Sequence, residues 1–412
     1  MDHLDAAQRL ARATARLASA THRRRSREHR HSIMPAILPG STIGILGGGQ
    51  LGRMTAMAAR SMGYNVHILD PDANCSAAPV ADRVVAAKFD DADAAADLAR
   101  NCQVVTLEIE QIGVDALSAA QQYAPVRPNP STIRIIQDRA MQKRWLTESG
   151  APIGEYREIT SLEELVEAHK ALGPLFVKAC RGGYDGRSQA RINTVADIVD
   201  AWKSLGGLRS VAEQELELDV ELSVMVARRP SGEVRVFPPA LNYHERQILA
   251  WSVLPAPLPA AILRQADEIA RNIANTFQLE GILAVEMFLL KNGTLLVNEL
   301  APRPHNSFHE TEVACATSQF EQLVRAVCDL PLGDPSALRP GAIVNLFGEL
   351  WERGSPRFDA ALSHSGVRLH LYGKRGARAG RKMGHLSATG ATPTEALERV
   401  TAAFAELTEK DA

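Results

Sequence analysis

From Thr42 onward, short apolar runs alternate with stretches whose apolar residues recur every third or fourth position. Thr42–Leu46 has the pattern of a buried strand, Leu51–Met62 of a helix and Asn65–Leu69 of a second strand. Ala92–Arg100 reads as a helix and Val104–Glu108 as a third strand. This alternation predicts parallel strands joined by right-handed crossovers. Pro125, Pro128 and Pro130 then break helix and strand alike and mark a boundary. A helix is expected near Ala140–Ser149 and a strand at Leu175–Ala179. Two further strands, Ile282–Leu290 and Leu295–Val297, flank the turn signal Lys291-Asn292-Gly293. After a second proline-marked joint, Pro331–Pro340, come strands at Ile343–Phe347 and Val367–Leu371. The closing helix runs to about Leu407, with Thr392 as N-cap, Pro393 in its first turn and Glu395 completing a capping box.

Residues 1–36 depart from this pattern. Arg23, Arg24, Arg25 and Arg27 make them basic, and no apolar segment of a secretory signal is present. Asp2, Asp5 and Glu28 count against an organelle transit peptide. The stretch reads as a disordered or dispensable leader, with Met34 as an alternative start. The remaining length suits two or three domains, because single cores stop growing beyond roughly 250–300 residues.

Charge is nearly balanced, with 46 Lys and Arg against 48 Asp and Glu, so no bulk electrostatic argument favours a nucleic-acid or membrane partner. No apolar run approaches the ~20 residues of a membrane span. Cys75, Cys102, Cys180, Cys315 and Cys328 are scattered without a CxxC pair, which reads as reduced thiols of a cytosolic enzyme.

Five segments carry candidate chemistry. Gly47-Gly48-Gly49-Gln50-Leu51-Gly52 follows a strand and opens a helix, and Asp70 ends the next strand at near the spacing of a dinucleotide fingerprint. Taken alone it admits a nicotinamide-dependent oxidoreductase, or simply the tight turn of any doubly wound domain. Lys178 closes a buried strand before the glycine-rich loop Gly182–Gln189, an arrangement suited to phosphates in a chain without a Walker A motif. The alternative is an exposed hairpin with a snorkelling lysine. Glu286 and Asn298-Glu299 lie on the paired strands around the Lys291–Gly293 turn. Two carboxylates meeting on one sheet face repel unless a cation sits between them, and oxygen ligands shared with phosphates suit magnesium. Arg303, His305 and Asn306 follow on a proline-stiffened loop fit for a small oxyanion such as bicarbonate. Lys374, Arg381 and Lys382, on glycine-flanked turns, could hold a substrate phosphate.

The order of these motifs resembles the 5-(carboxyamino)imidazole ribonucleotide synthases, the ATPase subunit of phosphoribosylaminoimidazole carboxylase, in the ATP-grasp superfamily. The resemblance rests on Gly47–Met54, Thr106-Leu107-Glu108-Ile109-Glu110, Gln137-Asp138-Arg139 with Gln142-Lys143, and Gly183-Tyr184-Asp185-Gly186-Arg187. Glu213-Gln214 with Glu221, Asn298–Ser307, and Arg381–His385 complete it. It implies an α/β and α+β fold of ATP-grasp architecture, with an N-terminal Rossmann-like pre-ATP-grasp domain over 37–135, the ATP-grasp domain over 136–330 and a small C-terminal domain over 331–412. The first domain would then bind substrate, not NAD.

By the same resemblance Arg139, Lys178 and the loop Gly183, Tyr184, Asp185, Gly186, Arg187, Ser188 and Gln189 would hold ATP phosphates. Glu213, Gln214, Glu215 and Leu216 would line the adenine, Glu221 the ribose, and His244, Asn298 and Glu299 would complete the nucleotide site. Glu286 and Glu299 would carry Mg2+, and Arg303, His305 and Asn306 would serve bicarbonate. Gln50, Leu51, Glu108, Tyr184, Asp185, Lys374, Arg381 and Lys382 would lie near the ribonucleotide. The implied activity is ATP- and bicarbonate-dependent carboxylation of an aminoimidazole ribonucleotide in purine synthesis, by a cytoplasmic homodimer. Alternatives are another ATP-grasp carboxylase, a formyl-transferring ligase or a non-catalytic ATP-binding regulator. Three positions depart from the family pattern: Ser188 for a glycine, Phe308 for a glycine and Glu310 for an aromatic residue. Phe308 is expected to add bulk beside the anion loop, and Glu310 to add negative charge there.

Overall fold

The computed structural model describes residues 35–182, 188–352 and 354–407. The leader and loop residues Gly183 to Arg187 lie outside that description, so expectations about them are not addressed by it. Strands fall into three sheets in chain order. β1 (Thr42–Leu46), β2 (Asn65–Asp70), β3 (Arg83–Ala86) and β4 (Val104–Leu107) form an all-parallel sheet in the order β3-β2-β1-β4. β5 (Tyr156–Ile159), β6 (Leu175–Ala179), β7 (Gln189–Ile192) and β8 (Ser210–Gln214) form an antiparallel sheet, β5-β8-β6-β7.

The third sheet contains β9 (Leu218–Arg228), β10 (Val234–Val236), β11 (Ala240–Glu245), β12 (Ile248–Leu254), β13 (Gly281–Leu290), β14 (Leu295–Ala301), β15 (Gly341–Phe347), β16 (Val367–Leu371) and β17 (Lys382–Thr389). Its main path is β14-β13-β9-β11-β12-β15-β17-β16, so the strands after the second proline joint extend the sheet begun before it. β12 and β15 make the seam, with Trp251 opposite Val344 and Leu254 opposite Gly341.

The parallel first sheet and the strands at 42–46, 175–179 and 367–371 agree with the periodicity. β3 and β17 were not legible as strands. β3 has four residues of mixed exposure, and β17 begins at Lys382, inside a segment whose glycines and basic residues read as turn. Thr392 does cap the last helix, accepting from Glu395 N. The Glu395 carboxylate reaches one residue further back than expected, to Ala391 N at 2.7 Å. Among the described residues no helix is long and apolar enough to cross a membrane.

The third sheet places the chemistry. Along β9 and β13, Leu222, Val224, Val226, Leu283, Val285 and Met287 point to one core, covered by the helix Ala260–Thr276 through Ala266, Ala270 and Ile273. On the other face, Ile282 and Ala284 pack with Phe308 and the helix Gln319–Val327. The next residue of that face is Glu286. Apolar contact therefore gives way to carboxylate along a single strand face.

Candidate active site

Glu286 is the register partner of Glu299. Directly opposed residues of an antiparallel pair project to the same face, so both carboxylates look into one cleft. Beyond them the register passes to Met287 opposite Val297, leaving Asn298 as the extra residue of a β-bulge. Val297 and Leu300 consequently both join the core cluster although they are three residues apart. Asn298 and Glu299 turn together toward the opposite side. The helix Arg139–Glu148 holds this irregular backbone: Gln142 Oε1 accepts from Leu300 N at 3.1 Å, and Lys143 Nζ donates to the Asn298 carbonyl at 3.0 Å.

Cations face the carboxylates. Arg139 Nη1 lies 2.6 Å from Glu299 Oε2. Glu213, at the end of β8, is gripped by Lys178 at 2.7 Å and Lys143 at 3.3 Å. Burial would raise the Glu213 carboxyl, but Lys143 and Lys178 outweigh it and bring it down to about 2. Burial pushes the Lys143 ammonium down, and Glu213 opposes the shift. Lys143 thus spans the second and third sheets, touching β8 through Glu213 and β14 through Asn298.

Lys143 was not singled out as a site residue from sequence. It sits one helical turn after Arg139, and the i,i+4 rule could have found it. Asp138 was missed as an anchor too. It caps the helix by accepting from Met141 N, and its buried carboxylate also meets Arg209 at 2.7 Å and Arg181 at 3.3 Å.

Among the described residues, the other expected nucleotide positions lie as follows. Gln189 pairs with Lys178 across β6–β7, and Ser188 takes a left-handed backbone with φ +58°. A glycine adopts that conformation without steric cost, which accounts for the family residue there. Gln214, Glu215 and Leu216 follow Glu213, with Glu215 paired to Arg191 at 2.6 Å and Leu216 beside Gly154. His244 Nδ1 lies 2.9 Å from Glu221 Oε2.

In the anion loop, Arg303 pairs with Glu110 at 2.7 Å and His305 Nε2 stands 2.9 Å from Glu286 Oε1. Burial would raise the Glu286 carboxyl, yet the His305 contact and nearby cations bring it down to about 2. Asn306 is buried, and neither its amide nitrogen nor its oxygen has a partner among the described residues. An orphaned buried amide one residue from His305, the partner of Glu286, is a group left for a ligand to complete. The donor set, oxygen only at Glu286 and Glu299, fits a hard divalent cation.

Two expectations about this loop need correction. Phe308 does not crowd the anion site: its ring is fully buried in the core, edge-on to Phe237 at 6.2 Å. Glu310 does not face the cleft either. It is fully buried under the loop, where burial drives its carboxyl well above the usual range.

The glycine loop is occupied by the protein itself. Glu108 Oε1 accepts from Gly49 N at 2.8 Å, and Oε2 accepts from Gly52 N at 3.0 Å. The helix N-terminus that a dinucleotide pyrophosphate would use is therefore filled by a carboxylate. A Cβ at Gly49 would stand 2.6 Å from Glu108 Oε1, which explains the glycine without a cofactor. Leu51 packs its side chain with Met54, Phe320 and Tyr372, leaving only its main chain for a ligand. Gln50 Oε1 accepts from Lys374 Nζ, which also donates to the Lys382 carbonyl at 2.8 Å. These contacts join the first sheet's loop to the β16–β17 connection. Arg381 Nη1 donates to the carbonyls of Arg375 and Gly376 within that connection.

Lys178 of the second sheet, Arg139 and Lys143 of one helix, and Glu286 and Glu299 of the third sheet, behind a parallel first sheet, are the arrangement of an ATP-grasp enzyme. Family profiles agree: a ribonucleotide synthetase preATP-grasp domain matches residues 40–137, an ATP-grasp domain 144–320 and a phosphoribosylaminoimidazole carboxylase C-terminal domain 341–399. The N5-carboxyaminoimidazole ribonucleotide synthase of Brucella melitensis is 42% identical over 355 residues, covering 85% of this chain and 97% of the relative. A crystal structure of an N5-carboxyaminoimidazole ribonucleotide synthetase with ADP superposes with TM-score 0.85 at 39% identity, covering 91% of this chain and 100% of that one. The Aspergillus clavatus synthase with ADP and 5-aminoimidazole ribonucleotide superposes with TM-score 0.82 at 33% identity, covering 89% and 98%. The chain belongs to the N5-carboxyaminoimidazole ribonucleotide synthase family, ATP-dependent ligases that form ADP.

Proposed function

We propose that this protein carboxylates the exocyclic amine of 5-aminoimidazole ribonucleotide with ATP and bicarbonate, yielding N5-carboxyaminoimidazole ribonucleotide for purine synthesis. Bicarbonate is a weak electrophile and needs activation. Its oxygen attacks the γ-phosphorus of ATP, the bond to the β-phosphate oxygen breaks, and ADP leaves carboxyphosphate behind. Lys178 and Arg139 would take up charge developing on the phosphates. Glu286 and Glu299 are the residues that would hold magnesium, whose contribution is to neutralise phosphate charge. Arg303, His305 and Asn306 would orient bicarbonate and its phosphorylated product. Carboxyphosphate then splits into carbon dioxide and phosphate, and the amine nitrogen attacks the carbon, losing a proton to leave a carbamate. Water must be kept out while the mixed anhydride exists, and the loop Gly183 to Gln189 is assigned that task.

Gln50, Glu108, Lys374, Arg381 and Lys382 are assigned to the ribonucleotide, Glu108 by shaping the loop and not by a free carboxylate. The reading further includes a homodimer working in the cytoplasm. The observation that supports it is the register pairing of Glu286 with Glu299, with Arg139 on the Glu299 carboxylate and Lys143 on the Asn298 carbonyl beside it. A coupled ADP-release assay tests it. Release that requires bicarbonate and rises with the aminoimidazole ribonucleotide is expected. Bicarbonate-dependent release indifferent to that ribonucleotide would point to another carboxylase, and ATP binding without turnover to a regulator.

A further inference from the structure

Behind the anion loop lies a chain of buried polar side chains that the proposed chemistry does not use. Ser223, Asn242, Ser252, Ser307 and Glu310 are all buried. Strand register explains why they meet. Ser223 on β9 is the partner of Glu286 on β13, and Asn242 on β11 is the partner of Ser252 on β12. Ser307 drops onto them from the loop. Ser252 Oγ lies 3.3 Å from Glu310 Oε1 and 3.0 Å from Asn242 Oδ1. Asn242 Nδ2 donates to Ser223 Oγ at 3.0 Å, and Ser223 Oγ lies 2.7 Å from Ser307 Oγ. Ser307 Oγ lies 2.8 Å from His305 Nδ1, and His305 Nε2 reaches Glu286.

Each hydroxyl carries one proton, so a chain of this kind has a direction. The amide nitrogen of Asn242 can only donate. Ser223 therefore accepts from it and passes its own proton to Ser307, whose proton is left for His305 Nδ1. The Ser307 backbone N–H also points at Nδ1, at 3.4 Å. With two donors directed at Nδ1, that nitrogen presents its lone pair, and the ring proton sits on Nε2 facing the Glu286 carboxylate. At the far end, the Ser252 hydroxyl reaches the Asn242 oxygen at 3.0 Å and the Ser307 carbonyl at 3.0 Å, and with the Asn242 oxygen turned to that hydroxyl the amide nitrogen faces Ser223.

We infer that Asn242, acting through Ser223 and Ser307, is a positioning residue that holds His305 as its Nε2–H tautomer and thereby orients Glu286. The inference rests on the proposed reading of Glu286 as part of the nucleotide site for its effect on turnover, but not for the tautomer itself. Partners that orient a ligating carboxylate typically matter by 10–100-fold when removed.

The test uses the ligand-free full chain with 15N-labelled histidines, the His305 signals being assigned by their loss in His305→Gln. The parent protein should show an unprotonated Nδ1 and a protonated Nε2. Asn242→Asp, which cannot donate to Ser223, and Ser223→Ala, which breaks the chain at its middle, should each shift or mix the tautomers. ADP release should fall roughly tenfold or more in both, with the ATP KM within about twofold. Ser223→Thr keeps the hydroxyl and should restore both readouts. Ser223→Ala removes one buried atom, so it reports even if Asn242→Asp fails to fold. A parent His305 protonated on Nδ1, or folded variants with parental spectra and turnover, would overturn the inference. A parent protein with the Nε2–H signature but no ADP release upholds it and overturns the ligase reading instead.

Discussion

Glu286 and Glu299 stand opposite one another on adjoining strands, yet each leans on a different partner: the first on His305 at 2.9 Å, the second on Arg139 at 2.6 Å. Two carboxylates so placed repel each other, and the Arg139 guanidinium and the His305 contact offset that repulsion. The arrangement holds the charge a metal–nucleotide complex would meet, and the bulge at Asn298 is what aims Glu299 into it.

Glu299→Gln keeps the size of the side chain and removes its charge. It should abolish ADP release while shifting the thermal midpoint little, because Glu299 is partly exposed and its ion pair with Arg139 contributes little to stability. The coupled assay and a melting curve measured together decide this, and turnover near that of the parent protein would remove Glu299 from the metal site.

Gln142→Leu should act on the bulge without touching the carboxylates. It leaves the buried Leu300 N–H without its acceptor, a loss of about 1–3 kcal/mol in urea unfolding. Turnover should fall as well, since Glu299 is the residue before Leu300. Lost stability with full activity would show that the bulge does not depend on Gln142 for its aim.

Glu213 makes stability depend on acid. Its carboxyl is at about 2 when folded and near its usual 4.5 when unfolded, so the unfolded chain binds the proton more readily. The stabilisation is present above pH 4.5 and is lost as pH falls through about 2, on the order of 3 kcal/mol before the cost of burying Lys143 is counted. Glu213→Gln should flatten that part of the acid-unfolding profile. An unchanged profile between pH 5 and 2 would show that the lysines do not hold Glu213 ionised.

Gly52→Ala would ordinarily favour a helix by about 1 kcal/mol. Here the new Cβ would lie 2.5 Å from the Gly47 carbonyl oxygen, a backbone atom that cannot swing away. The substitution should instead destabilise by about 1–3 kcal/mol in thermal unfolding. NADH should show no fluorescence enhancement with the parent protein, since Glu108 occupies the helix N-terminus. Enhanced fluorescence would mean that the carboxylate yields its place to a dinucleotide.

Much of this site was legible before any fold was known, because its residues come in local groups. Lys178 at a strand end, the acidic pair around a glycine turn and the Arg303–Asn306 loop each combine a short motif with a backbone pattern that period and turn chemistry reveal. Phe308 and Glu310 were misjudged for the opposite reason. Proximity in sequence says which loop a residue belongs to, but within the short helical turn Asn306–Phe308 the Ser307 hydroxyl meets Ser223 while the Phe308 ring packs into the core.

The chain's own pattern of residues determined the alternation of strands and helices in the first domain, its parallel sheet, and a strand pair carrying two acidic residues. These follow from local periodicity and turn geometry. Only the tertiary structure decided that the strands after Pro340 continue the sheet of β12, that Glu108 fills the glycine loop, and that Lys143 joins β8 to β14. Those contacts link residues far apart along the chain, where no local spacing records them. The energy that selects them is the burial of charge against charge and of donor against acceptor once the sheets have met.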